Sequence, residues 1–307
     1  MNGTSFQSDI KYWLKQGNTV NHLLFWNIVV FLVLGIISLI AWASASPAME
    51  AAENFADTQL ALHASFPVLL RQPWGLFTYM FTHEGLLHLF FNMLNLYWFG
   101  NLFRSFLGNQ RVLPLYLMGG LAGGLVFVLL FNYLPALRPA AGAATLIGAS
   151  ASVMCLLVAQ ATLTPNYEIG LLLIGPVKLK WLALAIVVID LLTMSGGNPG
   201  GLGSHLGGAL LGFGYIKLLQ AGHDISTPLV YIFDKLGNRP RIALKPKVQA
   251  KRRAGNFKPK KSPLRVVKRE ENPQLRVDEL LDKINERGYQ SLSSDEKAFL
   301  EKFSKEN

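Results

Sequence analysis

The chain has 307 residues, 51% of them apolar, and a formal net charge of +10. That charge is uneven: residues 1–216 hold 8 Lys+Arg against 7 Asp+Glu, whereas 217–307 hold 21 against 12. Long uncharged runs in the first part exclude an ordinary water-soluble domain there and predict an all-α protein crossing a membrane several times. The single cysteine, Cys155, excludes an intramolecular disulfide.

In chain order, residues 1–21 are polar and form an N-terminal segment. An apolar run from His22 to about Ser44 is longer than a signal-peptide core and predicts the first membrane helix. Residues 46–85 form a long loop with Trp74 and other aromatic residues suited to a membrane interface. Spans two and three are expected at Leu86–Leu107 and Val112–Tyr133. The third carries Gly119, Gly120, Gly123 and Gly124, a spacing that lets helix backbones approach closely.

The fourth span is expected over Thr145–Leu163 and the fifth over Trp181–Met194. A glycine-rich loop, Ser195–Gly203, then leads to the sixth at Ser204–Leu219. This gives a membrane domain over 22–220. The few basic residues outside the termini fall mainly at Arg104, Arg111, Lys178 and Lys180, which places both termini in the cytoplasm by the positive-inside rule.

The tail differs. Residues 235–269 hold 14 Lys+Arg and no acid, so 221–272 reads as a basic, disordered linker. From 273 to 307 a small cytoplasmic helical hairpin is expected. Val277, Leu280, Leu281 and Ile284 stripe its first helix, and Ser293 with Glu296 forms a capping box opening the second. A polybasic stretch beside a membrane helix engages anionic lipid headgroups rather than nucleic acid.

The chemistry lies in three of the six spans. His88 and Asn92 stand four apart and share a helix face. Ser150 sits in Gly148-Ala149-Ser150-Ala151, and His205 leads His205-Leu206-Gly207-Gly208. Spans two, four and six run in the same direction, and each residue lies in the early turns of its own span. All four therefore fall at similar depth, on the side opposite the termini. A serine hydroxyl needs a general base such as histidine, and attack on an amide needs donors for the oxyanion. An Asn amide, an imidazole and the N–H groups opening a helix are such donors.

These motifs resemble those of the rhomboid intramembrane serine proteases. The resemblance covers about residues 20–220. It rests on Trp74 and Thr78, on His83-Glu84-Gly85-Leu86-Leu87-His88-Leu89-Phe90-Phe91-Asn92, on Gly148-Ala149-Ser150, and on His205-Leu206-Gly207-Gly208-Ala209 with Gly212. It implies a six-helix rhomboid-like bundle, with Ser150 as nucleophile and His205 as general base. It also implies His88 and Asn92 as oxyanion donors, with His83, Gly148, Met154 and Gly208 in support. The sequence departs from the family pattern in three places: Ala151 follows the nucleophile where glycine is usual, Gly75 follows Trp74 where arginine is usual, and Met154 replaces an aromatic residue.

The expected function is therefore a serine-type endopeptidase of transmembrane substrates. It needs no cofactor or metal, and it sits as a multi-pass protein in the bacterial inner membrane. The alternative is an inactive relative that binds membrane clients. Ser152 points away from Ser150 and is expected to bond a backbone carbonyl four residues back.

Overall fold

The computed structural model describes residues 6–44, 55–171, 175–193, 198–236, 280, 283 and 292–306. The chain divides into two compact units, 1–243 and 244–307. The first is mostly helical. It begins with α1 (Phe6–Lys15) and α2 (Thr19–Ser44), continues through the small pieces α3 (Phe66–Arg71) and α4 (Gly75–Thr78), and then enters α5 (Leu86–Leu107), α6 (Val112–Tyr133) and α7 (Ser150–Leu163). It closes with α8 (Leu179–Thr193), α9 (Pro199–Gln220) and α10 (Thr227–Leu236).

Hydrogen bonds at the two ends fix an up-and-down arrangement. At one end, Asn18 at the start of α2 donates to Asn101 near the end of α5 (3.1 Å), and Asn109 accepts from the Thr19 N–H (2.8 Å). At that same end Arg111 pairs with Asp224, just beyond α9, at 2.9 Å. Burial pushes the Asp224 carboxyl up, but the Ser226 hydroxyl and Arg111 more than offset that and hold it below the usual carboxylate range. At the other end, strand β1 (Leu62–His63) pairs antiparallel with β2 (Thr145–Leu146), and Asn132 in the last turn of α6 donates to the Ala64 carbonyl at 2.8 Å. The long segment before α5 is thereby stapled to the approach of α7.

α5 and α6 have the bounds that their apolar runs predict. Three readings change, and the stretch between the fourth and fifth expected spans takes a definite form. The run expected to be helical from Thr145 contains β2, and its helix starts only at Ser150. The glycine-rich stretch expected as a loop is helical from Pro199, because Asn198 caps it and proline suits its first turn. The apolar segment after α7 is an antiparallel hairpin, β3 (Glu168–Leu171) with β4 (Gly175–Lys178). Within the expected flexible linker, 227–236 form α10; the basic residues beyond it lie outside the described residues.

The bundle is closest where α6, α7 and α9 meet. A Cβ on Gly208 would collide with the Ala151 carbonyl, and one on Gly212 with the Cys155 carbonyl. A Cβ on Gly123 would lie 2.5 Å from the Ala151 methyl and 2.7 Å from the Ser204 carbonyl. Backbones thus touch through glycine, the packing open to helices whose outer faces gain nothing from leaving lipid. Those outer faces are apolar: Ile40 is 64% exposed and Leu192 75%, with Leu32, Ile36, Leu125 and Phe213 also outward. By length and apolarity, α2 and the stretch Asn109–Tyr133 are each sufficient to cross a bilayer; Ser150–Leu163 and Leu179–Ile189 are shorter apolar helices.

In the second unit, α11 (Ser294–Glu306) opens as its capping box predicts. Glu296 accepts from the Ser293 N–H at 2.7 Å, and the Ser293 hydroxyl accepts from the Glu296 N–H at 3.3 Å. Lys283 pairs with Glu296 at 2.8 Å. Most of the first helix expected in the hairpin lies outside the described residues.

The backbone contact at Gly208 predicts that Gly208→Val, which places a branched side chain against a carbonyl that cannot move aside, destabilises the bundle by about 2 kcal/mol or more. Gly214, on the same helix, has open space where its Cβ would be. Gly214→Ala should leave stability unchanged or raise it by up to about 1 kcal/mol. Thermal unfolding of the two variants in detergent compares them directly.

Candidate active site

α7 begins abruptly. Gly148 has φ +118°, a left-handed conformation that side-chain-bearing residues rarely adopt, and its N–H donates to the Tyr79 carbonyl at 2.9 Å. A Cβ there would also lie 2.8 Å from the His88 ring and 3.7 Å from the Ser150 hydroxyl oxygen. Gly148 is therefore required twice, for the turn and for the approach of His88 to the start of α7. No side chain caps α7, so the N–H groups of its first turn stay available beside Ser150.

His88, Asn92, Ser150, Met154 and His205 line one cavity of about 300 Å³. Three sequentially distant segments supply them, as the sequence predicts. Asn92 is buried; one amide hydrogen goes to the His88 carbonyl at 3.0 Å, and a second remains. His205 lies nearly two turns into α9 rather than in its first turn, because that helix starts at Pro199. Gly208 does not line the cavity; it sets the approach of α9 to α7.

His83 stands behind His88 rather than in the cavity. Its ring is 5% exposed and meets the His88 ring edge-on, with centroids 5.2 Å apart. Burial first, and then the neighbouring His88, push the His83 imidazole down to about 4, so it packs as a neutral ring. Ser152 is fully buried against Gly120 and, among the described residues, has no hydrogen-bond partner. The carbonyl bond expected for it is not made.

Two departures from the family pattern have a local cause. The Ala151 methyl meets Gly123 of α6, a glycine that leaves room for it. A Cβ at Gly75 would lie 2.6 Å from the Ala61 carbonyl, so no larger residue fits there. Met154 is buried beside Phe99, Leu157 and Ala209.

Asn95, Phe99, Ile147, Val153, Leu157, Ile186 and Asn198 also line the cavity, and sequence reasoning missed them. Asn198-Pro199 carried a usable signal, since an Asn cap followed by proline marks a helix start. The apolar residues carried none, because only the tertiary packing selects them.

A helical bundle with an apolar exterior, and a serine and two histidines around one cavity, belongs to the class of membrane proteins with a polar site between their helices. Residues 70–221 match the Rhomboid domain, and the chain belongs to the rhomboid family. Residues 267–306 match a family of unknown function, DUF6576. RHOMBOID-like protein 12, mitochondrial, from Arabidopsis thaliana is 32% identical over 143 residues, which is 44% of this chain and 43% of the relative. Presenilin-associated rhomboid-like protein A, mitochondrial, from Danio rerio is 30% identical over 165 residues, 52% of this chain and 41% of the relative. The chain thus matches about two fifths of the length of these relatives. Their names lend no support to the bacterial inner membrane expected from the sequence.

Burial of neutral His83 has a pH consequence. A histidine whose folded pKa lies below its ordinary 6.5 adds stability at pH above 6.5 that is lost as pH falls toward 4. The melting temperature of wild type should therefore fall over that window more steeply than that of His83→Phe, as read by thermal unfolding at pH 7.5 and 5.

Proposed function

We propose that this protein is an intramembrane serine endopeptidase, with Ser150 as nucleophile and His205 as general base. The observation that carries this reading is the gathering of Ser150, His205, His88 and Asn92 around one cavity from three separate helices. In the proposed reaction an imidazole nitrogen of His205 takes the Ser150 hydroxyl proton as the oxygen attacks the scissile carbonyl. His88, the second Asn92 hydrogen and the N–H groups opening α7 receive the resulting oxyanion. The imidazolium then protonates the leaving amine as the C–N bond breaks. Water, activated by the same imidazole, releases the acyl group and restores Ser150.

α2, α5, α6, α7, α8 and α9 are read here as six membrane spans with both termini cytoplasmic. Ser150 then lies toward the outer face, and the substrate is a transmembrane segment cut near its outer end. That segment must unwind locally to present an extended bond, since a helix keeps its carbonyls bonded internally. The bilayer and anionic headgroups beside the basic tail are the other expected partners; nucleic acid is not. An inactive client-binding relative is the second reading from sequence. Ala151, Gly75 and Met154 motivate it, and the first two are accounted for by local packing.

A fluorophosphonate probe should label wild-type protein, and labelling should fall by more than about a hundredfold in Ser150→Ala and in His205→Ala. Equal labelling of Ser150→Ala would remove the assignment. The cavity continues past Ser150 to Phe99, Leu157 and Ile186. Leu157→Trp should fill that end and slow cleavage of substrates with a large apolar residue beside the scissile bond more than those with alanine. Competition between two such substrates measures the difference.

A further inference from the structure

The end of α9 remote from His205 carries a structure with no part in the site described above. α9 stops in a Schellman turn. Gly222 has φ +94°, its N–H donates to the Leu219 carbonyl at 3.0 Å, and the His223 N–H donates to the Leu218 carbonyl at 2.8 Å. Asp224 follows at once and gathers a polar cluster. Its carboxylate accepts from Arg111 at 2.9 Å, from the Ser226 N–H at 3.0 Å and from the Ser226 hydroxyl, and the Tyr215 hydroxyl donates more distantly, at 3.4 Å. Ser226 and Tyr215 are fully buried. A satisfied network of this kind is rigid, so the elbow fixes how α10 leaves the bundle.

α10 has ten residues, a rise of roughly 15 Å, which is too short to cross a bilayer. From Pro228 to Phe233 every residue is apolar. Leu229, Val230 and Phe233 are half-buried, whereas Pro228, Tyr231 and Ile232 are exposed, Tyr231 by 53% and Ile232 by 47%. The outward three stand at i, i+3 and i+4 and so form one helix face, with exposed Lys235 next along it. Ile225 in the elbow is exposed as well. An apolar face of this extent needs cover. Its level is marked by Lys217 in the last turn of α9, whose ammonium lies over the Phe213 ring at 5.5 Å. A lysine placed so belongs to the end of a span, where its head reaches water and its stem stays apolar.

We propose that α10 is an interfacial helix that inserts Tyr231 and Ile232 into an anionic leaflet, at the boundary between headgroups and acyl chains. The inference rests on the six-span reading and not on the chemistry at Ser150. A bilayer offers apolar cover and negative charge at adjoining levels, and this segment presents the matching pair. Ile232 is followed by exposed Lys235, and residues 235–269 hold 14 Lys+Arg and no acid. α1 repeats the pattern at the same end of the bundle. Its Tyr12, Lys11 and Lys15 are exposed, while Trp13 packs on the core and its carbonyl accepts from the Asn21 amide at 3.2 Å. Two short helices with outward tyrosine and lysine thus flank the end assigned to the cytoplasm. Insertion of α10 adds an apolar anchor to the electrostatic contact of the basic tail and starts that tail at the headgroup plane.

Depth-dependent quenching tests this in the full-length protein with Cys155→Ala as background. Single cysteines carry an environment-sensitive fluorophore, and the nanodiscs contain phosphatidylcholine and phosphatidylserine with nitroxides either at the headgroup or deep in the acyl chain. Ile232→Cys reports on α10, and Leu125→Cys, on the exposed face of α6, is the depth reference. Ile232→Cys should be quenched at least about twofold more by the headgroup nitroxide than by the deep one, and Leu125→Cys the reverse. A water-exposed, unquenched Ile232→Cys beside a deep Leu125→Cys would overturn the insertion and leave the six spans standing. Failure of both positions to meet lipid would overturn both. A shielded Ile232→Cys that neither nitroxide reaches would give the face to a protein partner and also overturn it. Tyr231→Cys should lose at least about half of its headgroup-level quenching when Ile232→Glu is added; unchanged quenching would mean proximity without insertion. Replacing phosphatidylserine by phosphatidylcholine should lower the quenching at Ile232→Cys, and no change would contradict the demand for an anionic leaflet.

Discussion

Everything in this fold depends on backbone touching backbone at Ala151. Gly208 of α9 lies on its carbonyl and Gly123 of α6 faces its methyl, while Gly212 repeats the contact one turn further on at Cys155. In lipid, helices are held by such packing and by hydrogen bonds rather than by escape from water. The contact lies one residue after Ser150, so the tightest point of the bundle is also the point from which the candidate nucleophile projects. His205, three residues before Gly208 on α9, is positioned through the same contact.

The second constraint is the turn at Gly148. Its left-handed φ lets α7 begin suddenly, and its bare Cα lets the His88 ring lie against the helix start. The segment before α5 is tied to this turn through the Tyr79 carbonyl and the β1–β2 pair. That segment therefore acts as a brace across the end of the bundle where the cavity opens. His83, edge-on to His88, adds a neutral ring to the same brace.

Much of this was legible in the sequence, for physical reasons. Long, mostly apolar runs locate α5 and α6, and polar groups inside such runs single out His88, Asn92, Ser150 and His205. Glycine misled. It reads as loop by its own propensity, so Ser195–Gly203 reads as a loop in sequence, although closely packed helices demand glycine in their interiors and the helix starts at Pro199. The β3–β4 hairpin was hidden because a short apolar run looks the same in a buried strand and a buried helix. The cavity floor of Phe99, Leu157 and Ile186 was illegible, since nothing local distinguishes these from other core residues. Ser152 shows the opposite error: a local rule gave it a carbonyl partner, and close packing on Gly120 withheld one.

The proposed chemistry is peptide hydrolysis at Ser150. Purified protein in liposomes, mixed with a single-span substrate carrying glycine near its outer end, tests this most directly. Wild type should make one cut within the membrane segment, and Ser150→Ala and His205→Ala none. An uncut substrate that still co-purifies with wild-type protein, or a cut that survives in Ser150→Ala, would contradict it.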